Sequence, residues 1–434
     1  MKFLQLSNRL NASWRVLFVN TSFMIANTLA GSAFGFLFWM VVTRFYDVAQ
    51  VGTGVAYIAA ITLLANLSEM GLGIALIRFA PTIDQQNKFI NTNMTAVAFS
   101  TLIITGLFLA GTAVWSPELQ ALTGLNWQTA LFWAAALAFS VAQFLDKLFV
   151  AFEATHFMLL RNVAAHLIRL GVVASFGRIL GAAGILLAVG IGAVVTLLLS
   201  SLIFAPRTLS GYVPRFDWDW QMLWSKAQYS LGNHFSQLLW NVPPLIYPLI
   251  IVSLLGAEAN AHFYISWMIA NVLFVFPTAL SMSVFARAAN ENGMDHRQFW
   301  RIMTGTLAGL LPLVGVMMAL SAFLLRLFGG AYVTGGQQLL IFLLLSALPY
   351  TVNTFVVVSY RIRKHIRGVV FVSGFTALVC LIMVVVLGKL QGVAGIGIGW
   401  LVGQSVGLLF SLSYWRFEKR LPHVSTTTLS QMGD

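Results

Sequence analysis

Apolar runs of membrane-spanning length follow one another along almost the entire chain, and no other feature constrains the fold as strongly. A helix needs roughly 20 mostly apolar residues to cross the hydrocarbon core of a bilayer. By that rule the sequence predicts twelve spans, and therefore an all-α polytopic membrane protein. Their approximate limits are residues 16–43, 51–77, 90–114, 128–151, 158–180, 182–205, 228–254, 261–286, 302–325, 337–359, 368–388 and 393–415.

The composition supports this fold class and excludes others. Only 9% of the residues are charged, whereas a soluble domain carries about 25%. The net charge of +12 does not indicate a nucleic-acid partner, because the lysines and arginines lie mostly at the ends of apolar runs rather than in a basic domain. Cys380 is the sole cysteine, so no disulfide can form within the chain.

The distribution of positive charge predicts the topology. If the N-terminus lies in the cytoplasm, twenty lysines and arginines fall at the cytoplasmic ends of the spans or in the termini, and four fall outside. Arg169, inside the fifth span, completes the 25. Such a bias obeys the positive-inside rule. We therefore expect both termini to be cytoplasmic, as fits a multi-pass protein of the bacterial plasma membrane.

The connections divide the chain into two halves of six helices each. We expect an N-terminal lobe at 1–205, a cytoplasmic linker at 206–227, a C-terminal lobe at 228–415 and a cytoplasmic tail at 416–434. The junction of helices 1 and 2 also resembles the junction of helices 7 and 8. Internal repeats of this kind are common in transporters.

Three stretches of sequence resemble a known family. The run NTSFMIANTLAGSAFGFLFWMVVTRFYDVAQVG and then LSEMGLGIALIRFAP resemble the start of Wzx-type polysaccharide (O-antigen) flippases. The stretch AHFYISWMIANVLFVFPTALSMSVFARAA resembles the eighth helix of that family. These flippases belong to the multidrug/oligosaccharidyl-lipid/polysaccharide (MOP) exporter superfamily. Lipid II flippases, with fourteen helices, are relatives with two helices more than this chain.

The resemblance implies a fold and a function. The fold would be two six-helix bundles arranged in a V, with a cavity open alternately to either side of the membrane. The substrate would be an oligosaccharide on undecaprenyl diphosphate, moved from the inner to the outer leaflet for O-antigen, capsule or exopolysaccharide synthesis. The expected partners are this lipid-linked oligosaccharide, membrane lipids, a polysaccharide polymerase and glycosyltransferases, with no nucleic acid and no cofactor.

A diphosphate carrier needs cations in the membrane, and the fifth span supplies two. An arginine at the bilayer centre costs at least ~2.5–3.5 kcal/mol unless it is paired or hydrated. In LLRNVAAHLIRLG, Arg161 and Arg169 are eight residues apart on nearly one face, and His166 lies one turn before Arg169. We expect these three side chains to bind diphosphate, together with Arg44 at the outer end of helix 1. Alternatively, Arg161 and Arg44 anchor the interfaces and Arg169 joins two helices.

Glu69 is the only acid predicted within a span. It precedes the boundary residue Arg78 by nine residues, or ~13–14 Å of helix. Arg169 follows Arg161 by eight residues, or ~12 Å. At this similar depth we expect a Glu69–Arg169 charge pair. It would be either a static clamp or a switch in which Arg169 exchanges Glu69 for phosphate and Glu69 takes up a proton.

Amides and a histidine on helices 1 and 7 are the candidates for binding sugars. Helix 7 is also predicted to break at Pro243, Pro244 and Pro248. The alternative role for such amides is hydrogen bonding between helices. The predicted cavity-lining residues are Asn20, Asn27, Asn233, His234, Gln237 and Asn241.

The sequence predicts a transporter and no enzyme. It contains no P-loop, GxSxG, HExxH or cysteine–histidine metal spacing, so neither catalytic residues nor a metal is expected. Outward movement of a diphosphate gains about 2.3 kcal/mol per charge per 100 mV of inside-negative potential, and this potential is the predicted driving force. The alternatives are a cation-coupled multidrug exporter of the same superfamily, a membrane glycosyltransferase or ligase, and a structural scaffold.

Overall fold

The computed structural model describes residues 2–290, 295–363 and 365–420. Within these ranges the chain is almost entirely helical and contains no strand. The helices are α1 (Lys2–Phe45), α2 (Val48–Ser68), α3 (Leu72–Phe79), α4 (Gln86–Trp115), α5 (Trp127–Ala151), α6 (Thr155–Leu180), α7 (Ala182–Leu198), α8 (Ala205–Thr208), α9 (Trp220–Asn290), α10 (His296–Ala319), α11 (Ser321–Arg326), α12 (Gly330–Leu345), α13 (Ala347–Ile362) and α14 (Ile366–Arg420).

Ten helical runs in the described ranges are long and apolar enough to cross a membrane. Two of them, Pro244–Ala288 and Arg367–Tyr414, have 45 and 48 residues, about twice the length of one span. Each contains one glycine with a left-handed backbone, Gly256 (φ 84°) and Gly392 (φ 65°), a conformation that glycine adopts without steric cost. Division at these glycines gives twelve segments, which confirms the predicted all-α polytopic class.

The second predicted span, 51–77, is broken beside its acid. Helix α2 ends at Ser68, and the next turn passes through Met70 (φ 47°) and Gly71 (φ 74°) before α3 begins at Leu72. The Leu72 amide donates a hydrogen bond to the Glu69 carbonyl at 2.9 Å, which closes the turn. The break therefore places Glu69 at a helix end rather than in the middle of a continuous helix.

Helix α9 corrects the predicted break in helix 7. The backbone stays helical through Pro243, Pro244 and Pro248 and becomes non-helical only at Gly256. Prolines remove amide donors, but membrane helices tolerate them where neighbours satisfy the freed carbonyls. The first half of α9 is therefore one continuous helix from Trp220, within the linker, to the break at Gly256.

The chain divides into two compact units. The first comprises Met1–Tyr264 with Leu327–Ala331, and the second comprises Ile265–Arg326 with Tyr332–Asp434. The first half of α9 is thus counted with the first unit. The predicted lobes and linker, with their boundaries at 205 and 228, remain a prediction.

Each unit has a core of its own. Buried Leu76, Phe144 and Leu148 belong to a cluster that joins α3, α5 and the linker in the first unit. Val284 and Phe355 belong to a cluster in the second unit. Within a bilayer such side chains associate through van der Waals packing rather than through removal from water, so each unit has a packed apolar core.

The segment between α8 and α9 is fixed along the first turns of α4. The fully buried Asn91 side chain donates to the Val213 carbonyl at 2.9 Å, and its oxygen accepts from the Tyr212 hydroxyl at 2.9 Å. The Lys88 ammonium lies 2.6 Å from the Asp219 carboxylate, and this hydrogen bond lowers the pKa of Asp219. The linker is therefore an ordered part of the first unit.

Candidate functional site: charged side chains of the first unit

Arg161 lies near the start of α6, and an acid compensates its charge. Its side chain is 1% exposed and forms an ion pair with Asp146 of α5. It also donates hydrogen bonds to the Ser200 hydroxyl and, at 3.3 Å, to the Ala142 carbonyl, and its guanidinium lies 5.3 Å from the centre of the Phe149 ring. Arg161 therefore joins α5, α6 and the π-helical turn Leu199–Phe204 that follows α7, and this network leaves it little capacity to bind a substrate phosphate.

Asp146 corrects the prediction that Glu69 is the only acid within a span. It lies in α5, inside the candidate span Trp127–Ala151. The sequence DKLFVAFEATHFMLLR contains a signal for this pair, because Asp146 and Arg161 lie at nearly equal distances from the turn between α5 and α6. In an antiparallel helical hairpin such residues come level with each other, so their opposite charges indicate an ion pair.

Arg169, two turns further along α6, has different surroundings. Its side chain packs on Gly192 of α7 so closely that its Cγ, Cδ and Nε atoms occupy the space that a Cβ would need there. The Nε atom is buried without a hydrogen-bond partner. Within the described part of the chain, no ion pair and no hydrogen bond involves this guanidinium. Arg169 is therefore a cation held in a membrane span without a compensating acid.

His166 lies one turn before Arg169 and is oriented by an aromatic contact. Its ring stacks on Phe34 of α1, with the ring centres 5.4 Å apart and an interplanar angle of 8°. It is close enough to Arg169 to interact with its charge. The structure thus brings two of the predicted diphosphate ligands, His166 and Arg169, into one region of α6.

Glu69 and Arg169 do not form the predicted ion pair. Glu69 is only 6% exposed, and its Oε1 atom has no hydrogen-bond partner among the described residues. The carboxylate lies beside Gly73, next to the aliphatic part of Lys147, and it interacts electrostatically with Lys147 and Asp146. The predicted depth specified position along the membrane normal only, whereas Glu69 packs next to α5 and Arg169 packs on α7.

The predicted amides of α1 form hydrogen bonds with α6. Asn20 Oδ1 accepts from the Thr155 hydroxyl at 2.8 Å, and Asn27 Oδ1 accepts from the Asn162 amide at 2.9 Å. The second pair lies seven residues after the first on each helix, as expected for two helices packed along one seam. These contacts match the interhelical alternative, and a role in binding sugars remains a prediction.

Among the candidates on α9, His234 is the one whose side chain the structure describes. It is 8% exposed and hydrogen-bonded to the backbone of Leu67, and it packs against Gly71 at the break after α2. The side chains of Asn233, Gln237 and Asn241 lie outside the described set. Their predicted contact with sugars remains a prediction.

Arg44, in the last turn of α1, is exposed and donates a hydrogen bond to the Leu327 carbonyl at 3.2 Å. A single bond to a carbonyl leaves the charge of the guanidinium uncompensated. Its predicted contact with phosphate in the outward-facing state remains a prediction.

Comparison with solved structures identifies the fold. No family model matches the chain, and no curated protein matches its sequence. A structure of the lipid II flippase MurJ in an inward closed conformation superposes with a TM-score of 0.71, at 12% identity, over 91% of this chain and 87% of that one.

Two transporters of the MOP superfamily superpose with lower TM-scores. An inward-facing multidrug resistance MATE family transporter of the MOP superfamily gives a TM-score of 0.59 at 16% identity, over 90% of this chain and 94% of that one. A MOP superfamily transporter from Pyrococcus furiosus, whose binding pocket is described as having reverse polarity, gives 0.59 at 14% identity, over 93% and 95%.

At such identities the likeness establishes the fold. The predicted MOP-type fold is confirmed, and the chain is a multi-pass membrane protein with the architecture of the MOP superfamily transporters.

Proposed function

We propose that this protein is a Wzx-type flippase that moves an undecaprenyl-diphosphate-linked oligosaccharide from the inner to the outer leaflet of the bacterial plasma membrane. The product would supply the synthesis of a surface polysaccharide such as O-antigen, capsule or exopolysaccharide. The observation that carries the proposal is the unpaired guanidinium of Arg169 in the span formed by α6.

The free-energy cost of Arg169 supports an anionic substrate. A cation within a span costs several kcal/mol unless an acid, water or ligand compensates it. The same helix shows how this chain compensates a structural cation, since Arg161 has Asp146 as its partner. An uncompensated arginine two turns away is best explained by an anionic ligand that binds and is then released.

Phosphate is the partner that a guanidinium fits best. Its planar donors form paired, charge-assisted hydrogen bonds with phosphate oxygens. His166 lies beside Arg169 and supplies a second donor to a diphosphate. The polar residues predicted on the first half of α9, Asn233, Gln237 and Asn241, would then meet the sugars.

Charge also disfavours the main alternative, a cation-coupled exporter of cationic drugs. Such an exporter needs a carboxylate that is available to the drug. In the first unit, Asp146 is paired with Arg161, and Glu69 has Lys147 beside it. The unpaired charge of Arg169 would repel a cationic drug.

The membrane potential would drive the cycle. A diphosphate carries roughly two negative charges, and each gains about 2.3 kcal/mol per 100 mV on moving outward. After release, the cationic Arg169 is drawn back inward by the same field. With both termini in the cytoplasm, as predicted, the positive end of α6 at Arg161 is the cytoplasmic end.

Flipping and drug transport can be compared in one preparation. The purified chain is reconstituted in proteoliposomes with a fluorescent undecaprenyl-diphosphate trisaccharide, and an impermeant glycosidase reports the leaflet. Parallel vesicles contain ethidium as a cationic drug. We expect the lipid to change leaflets faster with the protein than in empty vesicles, with a rate that rises with inside-negative potential. Transport of ethidium without flipping of the lipid would replace this proposal with the drug-exporter alternative.

A further inference from the structure

Two basic side chains flank one aromatic pair where α3 ends and α9 begins. Arg78 lies in the last turn of α3, and Lys226 lies in the second turn of α9. Between them, the rings of Phe79 and Tyr229 pack edge to face with their centres 5.4 Å apart.

Both cations are held over these rings. The Arg78 guanidinium carbon lies 4.6 Å from the centre of the Tyr229 ring and 5.6 Å from that of Phe79, and the Lys226 ammonium lies 4.7 Å from Phe79. Arg78 and Lys226 lie 5.6 Å and 4.7 Å from the centre of the same Phe79 ring. The distance between the two cations therefore cannot exceed the sum of these two distances. Two long basic side chains within this limit can reach two linked phosphate groups together.

Among the residues that the structure describes, no acid forms an ion pair with Arg78 or Lys226. The ion pairs among the described residues join Lys88 to Asp219, Arg161 to Asp146 and Arg215 to Asp217, and neither Arg78 nor Lys226 takes part. Arg78 is exposed and Lys226 is partly exposed. An aromatic face attracts a cation by about 0.5–1 kcal/mol at such sites, and it leaves the hydrogen-bond donors free for a ligand.

The helices beneath the two cations are tightly packed. Gly71, at the break before α3, packs so tightly against the Ser230 carbonyl and His234 of α9 that a Cβ would not fit. Leu76 of α3 is fully buried in the core of the unit. A ligand that meets groups already held in position loses less free energy on binding than one that must order them.

The surroundings indicate the level of lipid headgroups. Trp220 and Trp224, in the first turns of α9, are 61% and 66% exposed, and their rings stack 5.6 Å apart. Exposed tryptophans of this kind favour the boundary between headgroups and acyl chains. Arg78 was also predicted to mark the cytoplasmic end of its span.

We propose that Arg78 and Lys226 form a binding site for the phosphate of a lipid headgroup at the cytoplasmic boundary. The inference rests on the proposed function in one respect: its physiological ligand would be the diphosphate of the lipid-linked oligosaccharide, held here before it reaches Arg169. Phosphatidylglycerol carries the same chemistry and is the second source of a lipid phosphate.

Native mass spectrometry of the full chain in detergent can count bound lipids. The probes are undecaprenyl diphosphate, phosphatidylglycerol and inorganic diphosphate. The test variant is Arg78→Gln with Lys226→Gln. The matched control removes an exposed arginine and an exposed lysine of the second unit, Arg326→Gln with Lys389→Gln. A charge-preserving variant, Arg78→Lys with Lys226→Arg, separates loss of the site from loss of the fold.

We expect the test variant to bind both lipids at least about tenfold more weakly than the control, since the loss of the two charge-assisted contacts together weakens binding by that factor or more. The charge-preserving variant should bind like the wild type, and Arg169→Gln should keep this site. If undecaprenyl diphosphate is affected and phosphatidylglycerol is not, the ligand is the substrate lipid; the reverse result assigns the site to bulk anionic lipid.

Three results would overturn the proposal. The first is equal lipid binding by the test variant and the control. The second is loss of lipid binding in the charge-preserving variant. The third is inorganic diphosphate binding as tightly as the lipids, which would make this a site for a free anion. Because bound lipid is counted directly, a wild type that binds but does not flip would refute the proposed function and leave this site intact.

Discussion

The two arginines of α6 are the same residue type on one helix, and their surroundings differ completely. Arg161 is buried, paired with Asp146 and bonded to Ser200 and Ala142. Arg169, eight residues later, packs on Gly192 and has no acid as a partner among the described residues. The comparison shows that the presence of a cation in a span does not by itself indicate a ligand site. The presence or absence of a compensating group is more informative.

This difference predicts opposite roles for the two side chains. A compensated cation holds helices together, and its loss should unfold the protein. An uncompensated cation lowers the stability of the folded protein and is retained for activity, as is common for functional groups. The predictions below test this contrast, beginning with the largest expected effect.

Substitution of Arg161 by leucine should destabilise the protein most. It leaves the Asp146 carboxylate, which is 29% exposed, without its partner, and the loss of one partner of such a pair costs up to about 3–5 kcal/mol. The measurement is the free energy of unfolding, from denaturant titration of the purified chain in micelles. The double variant Arg161→Leu with Asp146→Leu removes both charges and should recover most of this loss. If the double variant were as unstable as the single one, the ion pair would not be what stabilises the region.

Substitution of Arg169 by leucine should instead increase the free energy of unfolding. Removal of an uncompensated cation from a span relieves a cost of about 2.5–3.5 kcal/mol, so the variant should unfold at a higher denaturant concentration than the wild type. Flipping should be lost at the same time. Destabilisation similar to that of Arg161→Leu would indicate that Arg169 has a structural partner.

Substitution of Gly192 by alanine should displace Arg169. The new Cβ would collide with the arginine side chain, and overpacking of this kind costs about 1–3 kcal/mol. We expect slower flipping and lower stability in the unfolding assay. The matched control is Gly171→Ala, because a Cβ on that α6 glycine meets open space. Equal effects of the two alanines would mean that Gly192 does not position Arg169.

The smallest expected effect is the coupling between Glu69 and Arg169. Since no ion pair joins them, the stability changes of Glu69→Gln and Arg169→Gln should add within about 0.5 kcal/mol in the double variant. A double-mutant cycle on the free energy of unfolding measures this coupling. A coupling well above that value would restore the static clamp that the sequence suggested.

The helical class could be predicted because the apolar runs determine it directly. Local backbone geometry is harder to predict, because the prolines of helix 7 suggest a break that the structure places at Gly256 instead. Proline removes a donor without forcing a break when neighbours compensate. Only the left-handed conformation of a glycine interrupts that helix.

Pairing between helices was predicted least well. Depth follows from residue counts, so Glu69 and Arg169 were assigned to one level. Rotation about the helix axis, which decides the neighbour, does not follow from the count. Asp146 resembles a boundary residue in the sequence because it lies next to Lys147 near the end of a span. Its relation to Arg161 becomes visible when the hairpin of α5 and α6 is considered as a unit.

Flipping by Arg169 variants tests the central claim most directly. Wild type, Arg169→Lys, Arg169→Gln and the control Arg326→Gln are reconstituted at equal density, and leaflet exchange of the undecaprenyl-diphosphate trisaccharide is followed. We expect Arg169→Gln to flip at least about tenfold more slowly, Arg169→Lys to keep part of the rate because the charge remains, and the control to match the wild type. Wild-type flipping by a folded Arg169→Gln would contradict the claim that this unpaired arginine carries the diphosphate.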